Sequence, residues 1–211
     1  LTDFIAQKLS IGKVVGWFKG RMEFGPRALG NRSIIADASF PDMQSTLNLK
    51  IKYRESFRPF APIIIEEKLK DWLEVGMISP YMLLVDHIKK DKRKNSDISS
   101  IGIDKLKIPR SIVQSITHVD FSARIQSITK ESNLKLYNLI KKFEEKKNIP
   151  LLINTSFNIR GEPIVCTPLD AFRCFMGTNM DILVLENYVL LKENQKLLSE
   201  TINFKKNFQL D

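Results

Sequence analysis

Apolar residues recur along this chain at two spacings, which predict helices alternating with short strands. Between residues 133 and 147 they recur at helical spacing and mark the clearest helix. Apolar runs of about four or five residues, bounded by Gly, Pro or Asn, predict buried strands. The other predicted helices cover residues 2–10, 43–51, 66–73 and 169–176. The predicted strands cover residues 14–18, 62–65, 81–85, 119–128 (one strand or two), 150–153, 181–185 and 188–191, the last two as a hairpin. This alternation predicts an α/β fold, a twisted mixed sheet with helices packed on it.

Length and composition are those of one globular domain. The chain has 211 residues, of which 43% are hydrophobic, enough to bury a substantial core. We expect a domain over residues 1–193 and a frayed tail over residues 194–211. A helix that spans a membrane needs about 20 apolar residues, and no apolar run in this sequence approaches that length. The first ten residues do not resemble a signal peptide. Two cysteines, Cys166 and Cys174, could pair but do not form a disulfide framework. These features predict a cytoplasmic protein.

The net charge of +9 has two interpretations. One is a nucleotide- or RNA-binding module without catalysis of its own. The other is a basic active site on a lysine-rich surface. The basic run at residues 89–94 lies in a polar stretch reaching Ser100, which predicts a solvated loop. No series of aromatic residues accompanies the basic ones, as would be expected of a surface that binds single strands. Nucleic acid is therefore ranked second as a partner, after a small anionic substrate.

A glycine-rich loop at residues 20–31 (GRMEFGPRALGN) follows the first predicted strand. It holds Arg21 and Arg27, with Arg32 just past it, and a helix is expected to start after Arg27. Arginine is a rigid fork of donors for carboxylate and phosphate oxygens, so this loop predicts a preorganised anion site. The alternative is a surface turn whose arginines pair with acids such as Glu23. The loop matches neither the Walker phosphate loop nor the dinucleotide fingerprint.

Other polar groups are positioned to join that site. Arg54 and Arg58 follow in residues 50–62, so five of the ten arginines lie between positions 21 and 58. Arg124 lies in a predicted strand. Another predicted strand opens into Asn154, Thr155, Ser156 and Asn158, which present short donors and acceptors at its carboxyl end. His87 and His118 lack metal-ligand spacing, and no metal site is predicted.

Five segments resemble the carboxy-terminal, YrdC-like region of the O-carbamoyltransferases, a family that includes nodulation-type and antibiotic-biosynthesis enzymes. They are residues 20–33 (GRMEFGPRALGNRS), 51–62 (IKYRESFRPFAP), 79–82 (SPYM), 122–126 (SARIQ) and 152–165 (LINTSFNIRGEPIV). The resemblance extends over about residues 14–192. It implies a YrdC-like fold. It also implies that the amino-terminal sugar-kinase/actin-like domain, which carries a metal and the final transfer step in the family, is absent from this chain.

The same resemblance implies an activity and a set of site residues. The domain would form carbamoyl-adenylate from carbamoyl phosphate and ATP, with Mg²⁺ on the nucleotide and no metal held by the domain itself. The missing domain would then transfer the carbamoyl group to an acceptor hydroxyl. The implied catalytic residues are Lys52, Arg124 and Ser156. The implied substrate- and ATP-binding residues are Arg27, Asn154, Arg21, Arg32, Arg54, Arg58 and Asn158.

Overall fold

Helices and short strands alternate in the computed structural model, which describes residues 1–94, 108–196, 204 and 208. The α-helices are α1 (Thr2–Ser10), α2 (Met43–Leu47), α3 (Leu69–Trp72), α4 (Leu134–Lys147) and α5 (Pro168–Gly177). The strands are β1 (Val15–Phe18), β2 (Arg32–Ala36), β3 (Ala61–Ile65), β4 (Val85–His87), β5 (Ser122–Arg124), β6 (Gln126–Ile128), β7 (Leu151–Ser156), β8 (Ile182–Leu185) and β9 (Tyr188–Leu191). In the described part of the chain, no helix is long and apolar enough to cross a membrane.

The main sheet has seven strands in the order β6-β3-β7-β2-β1-β8-β9. The pairs β3–β6 and β1–β8 are parallel, and the other neighbours are antiparallel. A separate small sheet is formed by β4 and β5. Every residue of β1, β2 and β3 is buried, as expected for strands at the centre of a covered sheet. The predicted mixed α/β sheet is confirmed.

Helix α4 shows how the apolar pattern produces the packing. Leu136, Leu139, Ile140 and Phe143 are fully buried, since they lie on one helical face. The Asn133 side chain accepts a hydrogen bond from the Leu136 backbone N–H at 3.1 Å and so caps the amino terminus. Helices α1 and α4 pack together, α4 also contacts β3 and β7, and α5 packs against β1 and β8. The helices therefore cover the sheet and fix the loops at its ends.

Several predicted elements are wrong in position or kind. No strand covers residues 81–84: Met82 has φ 57°, a left-handed conformation that interrupts an extended chain, and β4 begins only at Val85. The strand β2 was not predicted. The run at 89–94 is structured, because it includes a 3-10 turn and Arg93 forms a β-bridge with Ser111. Cys166 and Cys174 are unpaired.

Two expectations fall largely beyond the described ranges. The rest of the polar stretch, residues 95–100, lies outside the described residues. So does most of the tail after residue 194, whose fraying stays a prediction. Of that tail the structure describes residues 194–196, Phe204, which is buried in the core, and Phe208, whose ring contacts that of Phe204 edge-on with centroids 5.3 Å apart.

Candidate functional site

Two adjoining pockets lie at the carboxyl end of β7, and they share Arg54 and Ser156. The larger pocket has a volume of about 560 Å³ and the smaller one about 150 Å³. The larger is lined by Lys52, Arg54, Arg58, Ser156, Asn158, Ile159, Arg160, Gly161, Glu162 and Pro163. Side chains that line the smaller include Arg27, Arg54, Met82, Arg124, Asn154 and Ser156. Eight of the ten predicted site residues therefore meet here.

Lys52 reaches the larger pocket from a π-helical turn, Asn48–Lys52, that continues α2. Single π-turns within helices are often found at functional sites. The ammonium is buried, and Nζ donates to the Asn158 carbonyl and Oδ1, both at 2.8 Å, and to the Ser156 carbonyl. The Ser156 hydroxyl oxygen is a further acceptor at 3.2 Å. Burial lowers the pKa of Lys52 to about 7. A bound anion would therefore restore the charge of this side chain.

A turn from Asn158 to Glu162 holds these acceptors in place. The Ser156 hydroxyl donates to Asn158 Oδ1 at 2.7 Å, and Asn158 Nδ2 donates to the Glu162 carbonyl at 2.6 Å. The Glu162 carboxylate accepts from the Ile159 backbone N–H at 2.8 Å. Burial raises the pKa of Glu162, and burial also raises the pKa of the neighbouring Cys174 thiol well above its usual value. Sequence reasoning gave no role to Glu162, although it lies within the segment GEP.

Three arginines converge on the smaller pocket without a counterion. In the described part of the chain, no carboxylate forms an ion pair with Arg27, Arg54 or Arg124. Burial lowers the pKa of Arg124, and the charge of Arg27 lowers it further. Burial also lowers the pKa of Arg54. Arg54 is held by Asn48, whose Oδ1 accepts from Nε at 2.6 Å. Like charges held together in this way favour an anionic ligand.

A chain of amides attaches the glycine-rich loop to the sheet beside these arginines. Asn154 Nδ2 donates to the Ala28 carbonyl at 3.0 Å and to Gln126 Oε1 at 2.6 Å. Gln126 Nε2 donates in turn to the Leu29 carbonyl at 2.8 Å. Asn154 Oδ1 and Arg124 Nε are buried, and neither has a hydrogen-bond partner in the described structure. Two residues that line the smaller pocket thus each have one buried polar atom without a partner.

The loop itself is stiffened by backbone contacts, and the helix expected after Arg27 is not formed. Glu23 Oε1 accepts from the backbone N–H groups of Leu29 and Asn31 at 2.8 and 2.7 Å, so Glu23 closes the loop rather than pairing with an arginine. Gly30 has φ +117°, and a Cβ there would lie 2.5 Å from Leu136 Cδ2. Such a close approach requires glycine. The loop leads directly into β2.

Two predicted arginines lie outside both pockets. Arg32 is buried, and its Nη1 donates to the carbonyls of Lys19, Gly20 and Asn31 at 3.0, 3.1 and 3.0 Å. Its guanidinium also lies 3.4 Å from the Phe18 ring centroid. The Nη1 atom of Arg32 is therefore engaged by backbone carbonyls, which is a bracing role, whereas its buried Nε has no hydrogen-bond partner in the described structure. Arg21 is exposed, and its carbonyl accepts from Asn31 Nδ2 at 2.9 Å.

The other predicted residue with a competing structural role is Arg58. It lines the larger pocket and also forms an exposed ion pair with Glu55, with Nε and Oε2 2.9 Å apart. Among the described residues, no group of three or more His, Cys, Asp or Glu side chains could hold a metal ion. Glu162 is the one carboxylate among the described residues that line the two pockets.

Comparison with known proteins gives a family match over most of the chain. Residues 6–192 match the family model described as "Carbamoyltransferase C-terminus". An uncharacterized protein of Synechocystis, sll1178, is 54% identical over 210 residues, covering 98% of this chain and 34% of the relative. The nodulation protein NolNO of Sinorhizobium fredii is 35% identical over 187 residues, covering 89% of this chain and 25% of the relative. The chain thus spans about a third or less of the curated relatives that it matches.

A solved structure supports the fold. The chain superposes on part of HypF, from a full-length crystal structure, with a TM-score of 0.53 at 17% identity. The match covers 88% of this chain and 21% of HypF. At this identity the likeness concerns the fold alone.

Proposed function

This chain belongs to the family of carbamoyltransferase C-terminal domains, and from that premise we propose that it forms carbamoyl-adenylate from carbamoyl phosphate and ATP. The observation that carries the proposal is the convergence of Arg27, Arg54 and Arg124 without a counterion, next to buried Lys52. Both substrates are phosphate anions, and their negative charge matches this set of cations. The HypF structure, whose fold is similar, was determined in a phosphate- and nucleotide-bound form.

The two pockets suggest how the reactants would be distributed. The reaction consumes one water: hydrolysis of carbamoyl phosphate releases inorganic phosphate and carbamate, and a carbamate oxygen then attacks the α-phosphate of ATP and displaces pyrophosphate. Phosphoryl chemistry of this kind depends on positioning and on fixed positive charge rather than on a strong base. In our proposal Lys52 and Arg58 bind phosphate oxygens in the larger pocket. Arg27 and Arg124 hold the reacting group in the smaller one, and Ser156 and Asn158 contribute short polar contacts between the two.

Magnesium would enter with the nucleotide. Its preferred ligands are oxygens, and it usually keeps substrate phosphates and waters with one or two carboxylates. The pockets offer Glu162 alone, and that carboxylate already accepts from the Ile159 backbone. The residues present therefore fit an ion held mainly by phosphate oxygens, which would neutralise charge on the nucleotide.

The later carbamoyl transfer would take place elsewhere in a longer polypeptide. The relatives are about three times as long as the matched segment or longer, so a further domain is available in them. We place the transfer to an acceptor hydroxyl on such a domain, as the family resemblance implies. Because both substrates are metabolites of the cytoplasm, we also place the protein there.

The proposal is tested by binding and by exchange. Isothermal titration calorimetry with a nonhydrolysable ATP analogue and Mg²⁺, with and without carbamoyl phosphate, should show binding of both ligands. ATP–pyrophosphate exchange that depends on carbamoyl phosphate should follow. A folded sample that gives no heat with either ligand would refute the proposal, whereas affinity without exchange would favour a non-catalytic nucleotide-binding module.

A single arginine provides the sharper test. Arg27→Lys keeps the charge but loses the two-pronged geometry, and hydrogen bonds to charged groups are worth about 1.5–3 kcal/mol. Affinity for the ATP analogue or for carbamoyl phosphate should therefore fall about tenfold or more. The matched control is Arg173→Lys, an exposed position on α5, which should change affinity by less than about twofold. Equal affinities in the two variants would mean that Arg27 does not contact the ligands.

A further inference from the structure

Asn48 is a buried amide behind the arginines of the candidate site, and sequence reasoning gave it no role. It is the first residue of the π-helical turn that ends at Lys52, and it is fully buried. It is not among the residues that line the two pockets. Burying an amide is costly unless its donors and its acceptor are bonded. The partners of Asn48 therefore show what this residue holds in place.

Both ends of the Asn48 side chain are bonded to one short stretch of the chain. Its Oδ1 accepts from Arg54 Nε at 2.6 Å. Its Nδ2 donates to the carbonyls of Ser56 and Arg58 at 3.1 and 2.8 Å. Because the NH₂ faces two carbonyls and the oxygen faces a guanidinium, only this orientation of the amide makes all three bonds. The Asn48 backbone carbonyl also accepts from the Arg54 N–H at 3.0 Å, so Arg54 is held twice.

The bond at Nε determines which part of Arg54 is left for a ligand. Arg54 lines both pockets. Its Cζ lies 5.0 Å from the centroid of the Phe60 ring, and neither of its Nη atoms donates to a residue that the structure describes. A guanidinium binds two oxygens of one phosphate either through Nε and one Nη or through both Nη atoms. With Nε bonded to Asn48, only the second, end-on pair remains.

Gln44 makes a comparable contact that does not involve an arginine. It is also buried, lies four residues before Asn48 on the same helical face, and its Nε2 donates to the Phe57 carbonyl at 2.7 Å. Two amides thus fasten three consecutive carbonyls, those of residues 56–58. Gln44 fixes this turn alone, whereas Asn48 fixes the turn and the guanidinium of Arg54.

We propose that Asn48 is a positioning residue of the candidate site, which holds Arg54 in the end-on geometry for a phosphate group. Asn48 touches no ligand and acts through Arg54. Its loss should therefore weaken the binding of phosphate groups although no charge is removed from either pocket. This inference rests on the proposed function, in which the arginines of the site bind phosphate groups.

The test is a double-mutant cycle on the binding of a nonhydrolysable ATP analogue with Mg²⁺, measured by calorimetry. The four chains are the wild type, Asn48→Ala, Arg54→Ala and the double variant. Asn48→Ala should weaken binding about tenfold in the wild-type chain. In the Arg54→Ala chain the same change should cost less than about twofold, because no guanidinium is left to position. Equal losses in the two backgrounds would overturn the inference.

Gln44→Ala is the matched control, since it loosens the same turn and leaves the bond between Asn48 and Arg54 in place. It should change the affinity for the analogue by less than about twofold. If Gln44→Ala weakened binding as much as Asn48→Ala does, loosening of the turn would explain both results, and the inference would be wrong. A folded wild-type chain that bound no analogue would instead refute the proposed function, and the inference with it.

If Asn48→Ala does not fold, NMR of the wild-type chain decides. The Arg54 Nε–H should exchange slowly with solvent before any ligand is added, whereas the Nε–H of exposed Arg173 should exchange fast. The analogue should shift the Nη signals of Arg54 and leave its Nε–H protected. Fast exchange of the Arg54 Nε–H in the free chain would overturn the inference, as would a ligand that bonds to Nε in place of Asn48.

Discussion

Anion binding to this chain should be accompanied by the uptake of a proton at Lys52. Burial lowers the pKa of this side chain from 10.5 to about 7. Among its titratable neighbours, Glu162 acts to raise that pKa and Arg54 acts to lower it. A lowered pKa means that the charged form is disfavoured in the free protein. An anion in the larger pocket favours the charged form, so binding should return the pKa toward its ordinary value.

The size of the effect follows from the pKa. With a value of about 7, Lys52 is charged in about one tenth of free molecules at pH 8 and in about nine tenths at pH 6. Binding at pH 8 should therefore take up about 0.9 proton, and binding at pH 6 about 0.1 proton. Because only the charged form contributes to anion binding, affinity should fall about tenfold between these two pH values.

Calorimetry in two buffers with different ionisation enthalpies measures this uptake. Sulfate is the suitable probe, because it does not titrate in this range. Lys52→Met should abolish both the uptake and the pH dependence. Lys19→Met is the matched control, since Lys19 is also buried, burial also lowers its pKa, and its Nζ has no hydrogen-bond partner to lose in the described structure. If sulfate bound at pH 8 without proton uptake, or if Lys52→Met retained it, the reasoning would be refuted.

Three further predictions concern the surroundings of the site. Glu162→Gln removes a charge that raises the pKa of Lys52, so the fall in sulfate affinity with pH should occur at lower pH. Glu145→Gln, which removes an exposed ion-pair carboxylate on α4, should leave that pH dependence unchanged. Asn133→Ala removes the cap of α4 and should lower the free energy of unfolding, measured by urea titration, by about 1 kcal/mol. The control variant Lys135→Ala, at an exposed position on the same helix, should show no comparable loss. RNA binding, measured by fluorescence anisotropy, should fall steeply with salt and show no sequence preference; tight sequence-selective binding at physiological salt would favour the RNA-binding alternative.

The sequence predicted most elements because their apolar spacing is strong, and it failed where apolar residues are not buried. Tyr81, Leu83 and Leu84 suggested a strand, yet they are 65%, 73% and 43% exposed. The opposite error hid β2, which begins with Arg32 and Ser33, two polar residues that are both buried. Apolar residues are buried only on average. Residues 81–84 include apolar side chains that are exposed, and β2 begins with polar side chains that are buried.

Eight of the ten candidate residues meet at the end of β7, but partly for a different structural reason than the one expected. The polar end of β7 was expected to bind a ligand because ligands commonly bind at the carboxyl ends of strands in open α/β sheets. The strand β7 is in fact antiparallel to both of its neighbours. Its end is polar because the chain there meets the glycine-rich loop through Asn154 and turns back through Asn158 and Glu162. The contact between Asn154 and Ala28 joins residues 126 positions apart in the chain, and no local pattern predicts it.

A cationic side chain that binds a ligand differs from one with a structural role in how many of its N–H donors are already hydrogen-bonded to the protein. Arg32 donates to three backbone carbonyls, whereas Arg27, five residues earlier in the same region, pairs with no carboxylate in the described structure. Lys52 lies between these cases, because its ammonium has three hydrogens and four oxygens within bonding distance. The hydroxyl of Ser156 is the most distant of them, at 3.2 Å. An incoming anion should therefore replace that hydroxyl on Lys52 and leave it near enough to donate to the same ligand.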